Sequence, residues 1–166
     1  MSSVLLPPVP VPDPDTAPYW EGLKNGKLML CRCDDTGKWI HPPLERSRYT
    51  GGPVHFEEVS GEGTIFSYIV VRQALVPGRM PPYVVGLIEL VEQPGLRINA
   101  VVDADPADVR IGQQVELRIV DLGESGYRIP EFVITAEQRH LPLASRRKCA
   151  PKSACRGTFA SARARR

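Results

Sequence analysis

Apolar and polar side chains alternate in five or six runs along residues 54–135, with the two-residue period of strands that bury one face. Clusters of Gly, Pro and Asp separate these runs, without the long helical segments of a βαβ pattern. The predicted strands cover residues 54–59, 63–71, 83–90, 96–102, 114–120 and 127–135. So many short strands in about 80 residues predict a small closed barrel of the OB or SH3-like kind.

A short helix is predicted before these strands, over residues 17–25. Pro18 suits its first turn, where a missing amide hydrogen costs no helical hydrogen bond. Tyr19, Trp20 and Leu23 give the helix one apolar face, which must pack against another surface. Residues 27–50 then show only short strand-like segments and turns, with little apolar material for a core of their own.

The two ends of the chain differ in composition from its middle. Six of the 17 prolines lie in the first 18 residues, which favours an extended arm. Residues 145–166 hold eight Arg and Lys residues and no acid, leaving 13 basic against 19 acidic residues, or −6, for residues 1–144. The overall charge of +2 therefore combines an acidic body with a basic tail that is expected to be flexible.

The length of 166 residues fits one domain with appendages. The longest apolar runs are shorter than the roughly 18–20 residues of a membrane span, so no membrane partner is expected. The first residues lack a basic segment, and prolines interrupt their apolar stretch. These features predict no secretory signal and a cytoplasmic location, where the four cysteines would be reduced.

Cys31 and Cys33 form a C-x-C pair, but no second cysteine pair follows nearby. A tetrahedral zinc site needs four thiolate or imidazole ligands. His41 and His55 could in principle complete a mixed site, although His41 precedes two prolines and His55 lies in a predicted strand. The spacing of these residues therefore disfavours zinc binding.

Four segments follow one another along the chain in this order: PYWEGLKNGKLMLCRC, GEGTIFSYIVV, PPYVVGLIEL and VRIGQQVEL. Together they resemble the acyl-CoA-associated OB-fold family over residues 14–135. The resemblance implies a mainly β fold with an N-terminal helix, a rubredoxin-like zinc ribbon and a five-stranded OB barrel. With it, the chain divides into a proline-rich arm (1–13), a helix and ribbon (14–52), a barrel (53–136) and a basic tail (137–166).

The resemblance also places the family's four zinc-ligand positions at Cys33, Thr36, Ser47 and Thr50. Only the first is a cysteine, and neutral hydroxyls are poor ligands for zinc. This departure from the family pattern predicts a degenerate, metal-free ribbon without a cofactor. Hydrogen bonds and packing by aromatic residues such as Trp39 would then replace the metal.

The family is associated with thiolases and thiolase-like aldolases. The resemblance therefore implies a non-catalytic accessory subunit in a hetero-oligomer, whose partner supplies the chemistry on an acyl-CoA. Rigid aromatic side chains dominate the cores of protein interfaces. The predicted partner-docking residues are Tyr19, Trp20, Leu23 and Trp39.

A long loop rich in Pro and Gly joins two of the predicted barrel strands. Loops of this length in compact barrels often carry function. In one interpretation Arg72 and Arg79 approach a CoA phosphate, while Met80 and Tyr83 pack beside an acyl chain. A solvated hairpin loop is the structural alternative.

Two other functions are kept as alternatives. An autonomous acyl-CoA hydrolase would need Cys33 as nucleophile and His41 or His55 as base, but no third orienting group stands at a telling spacing. A single-stranded nucleic-acid-binding module would use the barrel. The predicted barrel has six Arg against twelve Asp and Glu residues, which disfavours nucleic acid as a partner.

Overall fold

The computed structural model of the protein describes residues 8–73 and 78–135, so the predicted basic tail at 137–166 lies outside the described residues. Within these ranges, no helix has the length and apolar composition needed to cross a membrane. The elements in chain order are α1 (Ala17–Lys24), β1 (Met29–Cys33), β2 (Trp39–Ile40), β3 (Val54–Glu58), β4 (Glu62–Val71), β5 (Tyr83–Leu90), β6 (Arg97–Val102), β7 (Gln114–Asp121) and β8 (Arg128–Ile134).

Strands β4 to β8 form a closed barrel in the order β4-β5-β6-β8-β7. The pairing of Gly63 on β4 with Val115 on β7 belongs to the ladder that closes it. Strands β6 and β8 run parallel, and the other neighbours are antiparallel. The predicted mainly β fold, with an N-terminal helix and a five-stranded OB barrel, is confirmed.

Strand β5 shows how the two-residue period forms the barrel core. Val84, Ile88 and Leu90 are no more than 2% exposed, whereas the alternate residues Val85, Leu87 and Glu89 are partly exposed. The remaining inward position is Gly86, where a Cβ would lie only 2.8 Å from Cγ2 of Val102. A side chain at this position would therefore clash with a core side chain of the neighbouring strand β6.

A second sheet, with strands in the order β2-β1-β3, forms the ribbon. Strand β3 pairs with β1 from Met29↔Glu58 to Cys33↔Val54. The predicted boundary at residue 53 grouped this strand with the barrel, whereas the barrel ladders begin at Glu62 of β4. A strand shows the same alternation of apolar and polar residues in either sheet, so the sequence pattern does not tell whether β3 belongs to the ribbon or to the barrel.

One hydrophobic core joins the ribbon to the barrel, and a smaller cluster of Cys31, Cys33 and Ile40 lies within the ribbon. Leu23 of α1, Leu28 just before β1 and Leu30 of β1 lie in the same buried cluster as the barrel residues Ile88 and Phe132. None of these five side chains is more than 1% exposed. The Leu23 part of the predicted apolar face of the helix is therefore buried within this chain.

A side-chain amide makes a second connection between ribbon and barrel. Gln93, in the turn after β5, accepts a hydrogen bond at Oε1 from the N–H of Trp39 (2.9 Å) and donates one from Nε2 to the Trp39 carbonyl (3.4 Å). It thereby occupies both backbone groups of Trp39 at the edge of β2, as another strand would.

We predict that Gln93→Ala lowers the free energy of unfolding by about 1–2 kcal/mol, because the Trp39 N–H loses its acceptor and the Trp39 carbonyl keeps only the hydroxyl of Tyr49 as a donor. Amide hydrogen exchange should accelerate most in β1 and β2. The matched control is Gln113→Ala, since Gln113 also makes two hydrogen bonds, but only within the loop before β7. Equal acceleration of exchange in the ribbon by both variants would contradict the prediction.

Candidate functional site

The structure brings the four predicted vestigial ligand positions together at one end of the ribbon. Cys33 is fully buried at the end of β1, and its Sγ lies 3.8 Å from Oγ1 of Thr50. Hydrogen bonds with Ser47, then with Thr36 and Thr50, lower the pKa of the Cys33 thiol to about 7. The arrangement is thus one thiol surrounded by three hydroxyl groups.

The three hydroxyls also hold the surrounding loops. Thr50 Oγ1 donates to Oδ2 of Asp35 (2.6 Å), and Ser47 Oγ accepts from the N–H of Tyr49 (3.2 Å). Thr36 Oγ1 accepts from the N–H of Lys38 (3.3 Å). Hydrogen bonds therefore supply the local turn geometry that metal ligands supply in a zinc ribbon.

The donor set around Cys33 does not fit a zinc ion. Structural zinc is bound by four thiolate or imidazole ligands, and neutral hydroxyls do not replace them. Across residues 8–73 and 78–135, no group of three or more His, Cys, Asp or Glu side chains is placed to hold a metal. The four positions therefore come together as in a zinc ribbon, but three of them lack the side chain that would bind zinc.

Neither His41 nor His55, the histidines in the described part of the chain, completes a mixed site or a catalytic pair with Cys33. His55 is paired through Nδ1 with Asp34 and through Nε2 with Glu57 (3.4 Å), so both ring nitrogens face carboxylates. His41 is partly buried, which lowers its pKa. The Cys31 thiol points to the carbonyl of Leu44 (3.8 Å), and burial raises its pKa.

The predicted docking residues divide into two groups. Leu23 is 0% exposed and Trp39 is 7% exposed, so both belong to this chain's own core. The prediction that they anchor a partner needs correction, because the ribbon has too little core of its own and must bury them against the barrel.

Tyr19 and Trp20 are partly exposed and pack against the edge of the same core. Their rings meet edge to face at 5.1 Å, and Trp20 meets Tyr127 of the barrel at 6.2 Å. Burial raises the pKa of Tyr19 to about 12. These two aromatics join the helix to the turn before β8 and leave only part of their surface for a partner.

The predicted substrate loop is fixed to the barrel through Arg79. Its guanidinium pairs with Glu131, which is 4% exposed, and stacks over the Tyr83 ring at 5.7 Å. Arg79 is therefore already paired with a carboxylate of this chain. Arg72 and Met80 remain on the surface, and Met80 is 85% exposed.

Glu131 has a second basic partner that the sequence analysis missed. Arg118 Nη2 lies 2.9 Å from Glu131 Oε2 and 2.8 Å from Asp103 Oδ2. These hydrogen bonds raise the pKa of Arg118. The residues are 13 positions or more apart in the chain, so only the pairing of β7 with β8 reveals the cluster.

Comparisons with known proteins agree with this architecture. The family models for the rubredoxin-like zinc ribbon domain and the C-terminal OB-fold domain of ChsH2 match residues 20–46 and 56–128. A DUF35 domain-containing scaffold protein of Methanocaldococcus jannaschii is 36% identical over 115 residues, 64% of this chain and 80% of that protein. The chain belongs to the DUF35 family.

Two longer relatives contain a region similar to this DUF35 chain. The 3-oxo-4,17-pregnadiene-20-carboxyl-CoA hydratase alpha subunit of Mycobacterium tuberculosis is 38% identical over 109 residues, 64% of this chain and 34% of the relative. A probable enoyl-CoA hydratase alpha subunit of Thermomonospora curvata is 34% identical over 116 residues, 68% of this chain and 35% of the relative. The DUF35 chain thus spans about a third of either subunit's length.

Solved structures show the same fold. A chain of the Ltp2-ChsH2(DUF35) aldolase superposes with a TM-score of 0.70 and 29% identity, covering 76% of this chain and 98% of that chain. A DUF35 protein of unknown function from Sulfolobus solfataricus superposes with a TM-score of 0.53 and 15% identity, over 74% of this chain and 86% of that one. The second likeness concerns the fold alone.

We predict that the purified, dialysed chain contains far less than one zinc per molecule by elemental analysis, because three of its four ligand positions carry hydroxyls. The combined variant Thr36→Cys, Ser47→Cys and Thr50→Cys should bind about one zinc, since the frame places these positions around Cys33. Adding three cysteines elsewhere, with Ser60→Cys, Ser67→Cys and Ser125→Cys, should not. Nearly one zinc per wild-type chain would refute the prediction.

We also predict that His55 titrates above its ordinary pKa of 6.5, because hydrogen bonding to Asp34 favours the charged ring. Its stabilising contribution is then complete below the unfolded-state pKa and is lost as the pH rises through the folded-state pKa. The effect on stability should be small, about 1 kcal/mol or less, since the pair is exposed. Asp34→Asn should return the His55 pKa in an NMR titration toward 6.5, whereas Asp35→Asn should not.

Proposed function

We propose that this DUF35 protein is a non-catalytic accessory subunit that binds a thiolase or thiolase-like aldolase and helps to form its acyl-CoA site. The observation that carries the proposal is the likeness to the DUF35 chain of the Ltp2-ChsH2(DUF35) aldolase, which extends over 98% of that chain. The names of the two hydratase subunits, which contain a similar region, also refer to CoA thioesters.

The arrangement of side chains supports a subunit whose partner performs the chemistry. Catalysis by this chain alone would need a nucleophile next to a base that a third group orients. Cys33 is surrounded by hydroxyls, and His55 is held by carboxylates on the exposed face of β3. In the proposed complex, the partner supplies the nucleophile and base for carbon–carbon bond cleavage or formation, and this chain supplies a rigid wall.

The loop after β4 is the part of the barrel that we propose to lie nearest the acyl-CoA. Arg79 fixes the loop through Glu131, which leaves Met80 exposed for an acyl chain. Arg72, exposed at the end of β4, can supply a positive charge for a CoA phosphate. Met80 and Arg72 would thus contribute one apolar contact and one charge.

The two alternative functions fit the described residues less well. A hydrolase would require Cys33 to reach substrate, but its side chain is 0% exposed. A nucleic-acid-binding barrel would require free basic groups on its surface. Arg79, Arg97, Arg118 and Arg128 instead form ion pairs with acidic residues of the same chain.

We predict that the isolated chain has no activity on acyl-CoA thioesters, and that the thiolase-like subunit of the same organism loses activity or solubility without it. The measurement is co-purification of the two chains, followed by coupled thioester and aldol-cleavage assays.

In the complex, Arg72→Ala should raise KM for the acyl-CoA about two- to fivefold, with kcat unchanged, as expected for one exposed charge pair. Arg48→Ala, an exposed arginine of the ribbon, is the matched control. Full activity of the partner alone would contradict the proposal.

A further inference from the structure

Part of the outer face of three adjacent barrel strands carries aliphatic side chains, beside the polar Ser67 of β4 and Asn99 of β6. Ile69 on β4 is paired with Val85 on β5, which is paired with Val101 on β6. Leu87 lies two residues from Val85 on the same face of β5. We call these four residues the aliphatic strip.

The alternation of burial shows that the aliphatic strip faces outward. On β5 the buried positions are Val84, Gly86, Ile88 and Leu90, so Val85 and Leu87 point to the opposite face. On β4, Tyr68 and Val70 pack against the core, and Ile69 between them is 64% exposed. The strip is therefore not part of the barrel core.

The charges at both ends of the aliphatic strip are paired within the chain. At one end, Arg97 Nε lies 2.7 Å from Glu89 Oε2 across β5 and β6. At the other end Val101 is paired with Glu131, which binds Arg79 and Arg118, and Arg118 also binds Asp103. Each end carries equal numbers of positive and negative groups. A surface complementary to this one is therefore uncharged and largely aliphatic.

The same face is where OB barrels bind ligands, since β5 and β6 are the second and third strands of this barrel. Single-stranded nucleic acids bind there by stacking on aromatic rings beside free positive charge. The strip itself has no aromatic residue, and the neighbouring Phe66 ring is covered by the Arg97 guanidinium at 3.3 Å. A protein surface fits this face and a nucleic acid does not.

We propose that the aliphatic strip is the surface that binds the thiolase-like partner, through an uncharged aliphatic patch on that partner. This inference rests on the proposed function and assigns the contact to one face of the barrel. It replaces the docking role first expected of Leu23 and Trp39, which are buried.

The test uses the full chain, co-expressed with the tagged thiolase-like subunit of the same organism, and measures the Kd of the complex. Ile69→Asp and Ile69→Arg should each raise Kd about tenfold or more, because either charge would be buried without a partner. Val91→Asp is the matched control, since Val91 is also a β-branched aliphatic residue and is 60% exposed, against 64% for Ile69. It lies six residues beyond Val85 in the chain, roughly 20 Å along the strand direction.

Each outcome bears on a different claim. A complex that both Ile69 variants leave unchanged would overturn the assigned surface while keeping the proposed function, whereas no complex with the wild-type chain would overturn both. Loss of binding with only one sign of charge would show a charged partner surface and refute the inference. If the wild-type chain self-associates and the Ile69 variants abolish this, a second copy of the chain occupies the strip. That result would also refute the inference. Circular dichroism checks the fold of each variant, and Ile69→Ser replaces any charged variant that does not fold.

Discussion

The ribbon keeps its fold without a metal by burying its large apolar side chains against the barrel. A structural zinc contributes about 10–16 kcal/mol to the folding of a small ribbon. A hydrogen bond contributes about 1 kcal/mol, so the three hydroxyls around Cys33 replace only part of that free energy. Burial of large apolar side chains supplies about 1.5–3 kcal/mol each, and Leu23, Leu28, Leu30 and Trp39 are all buried against the barrel. The ribbon therefore needs the barrel to stay folded, whereas a ribbon that binds zinc need not rely on a neighbouring domain.

Glu131 imposes a second constraint, on the loop after β4. Burying an unpaired carboxylate costs several kcal/mol, and removing either partner of such a pair leaves that cost uncompensated. Arg79 reaches Glu131 from the loop and Arg118 reaches it from β7, so the charge is balanced only when the loop lies against the barrel. The same ion pairs make one end of the aliphatic strip neutral. Ion pairs within the chain thereby determine which of its surfaces can bind another protein.

The sequence predicted the elements well because their signals are local. The two-residue alternation located all of the barrel strands, and Pro18 marked the start of α1. The four vestigial positions were predicted by family resemblance, and they do meet around Cys33. Two features escaped prediction because they depend on long-range pairing: the sheet that β3 joins, and the ion pair of Arg79 with a carboxylate 52 residues away. The sequence gives one sign of the aliphatic strip. On β5, both the inward-facing and the outward-facing positions carry apolar residues.

The closed barrel also limits how this chain can associate with another protein. A strand from a partner adds to a sheet only where an edge offers free N–H and C=O groups. The barrel offers no such edge at its closing ladder, because residues 62–64 of β4 pair there with residues 114–116 of β7. In the ribbon, the Gln93 amide occupies both backbone groups of Trp39 on β2. Contacts with these parts of the chain must therefore be made by side chains, and the closed sheet holds the side chains in place before binding. Such preorganisation lowers the entropy cost of association. This is the property that a subunit needs if its part in the complex is to support a site whose reacting groups belong to its partner.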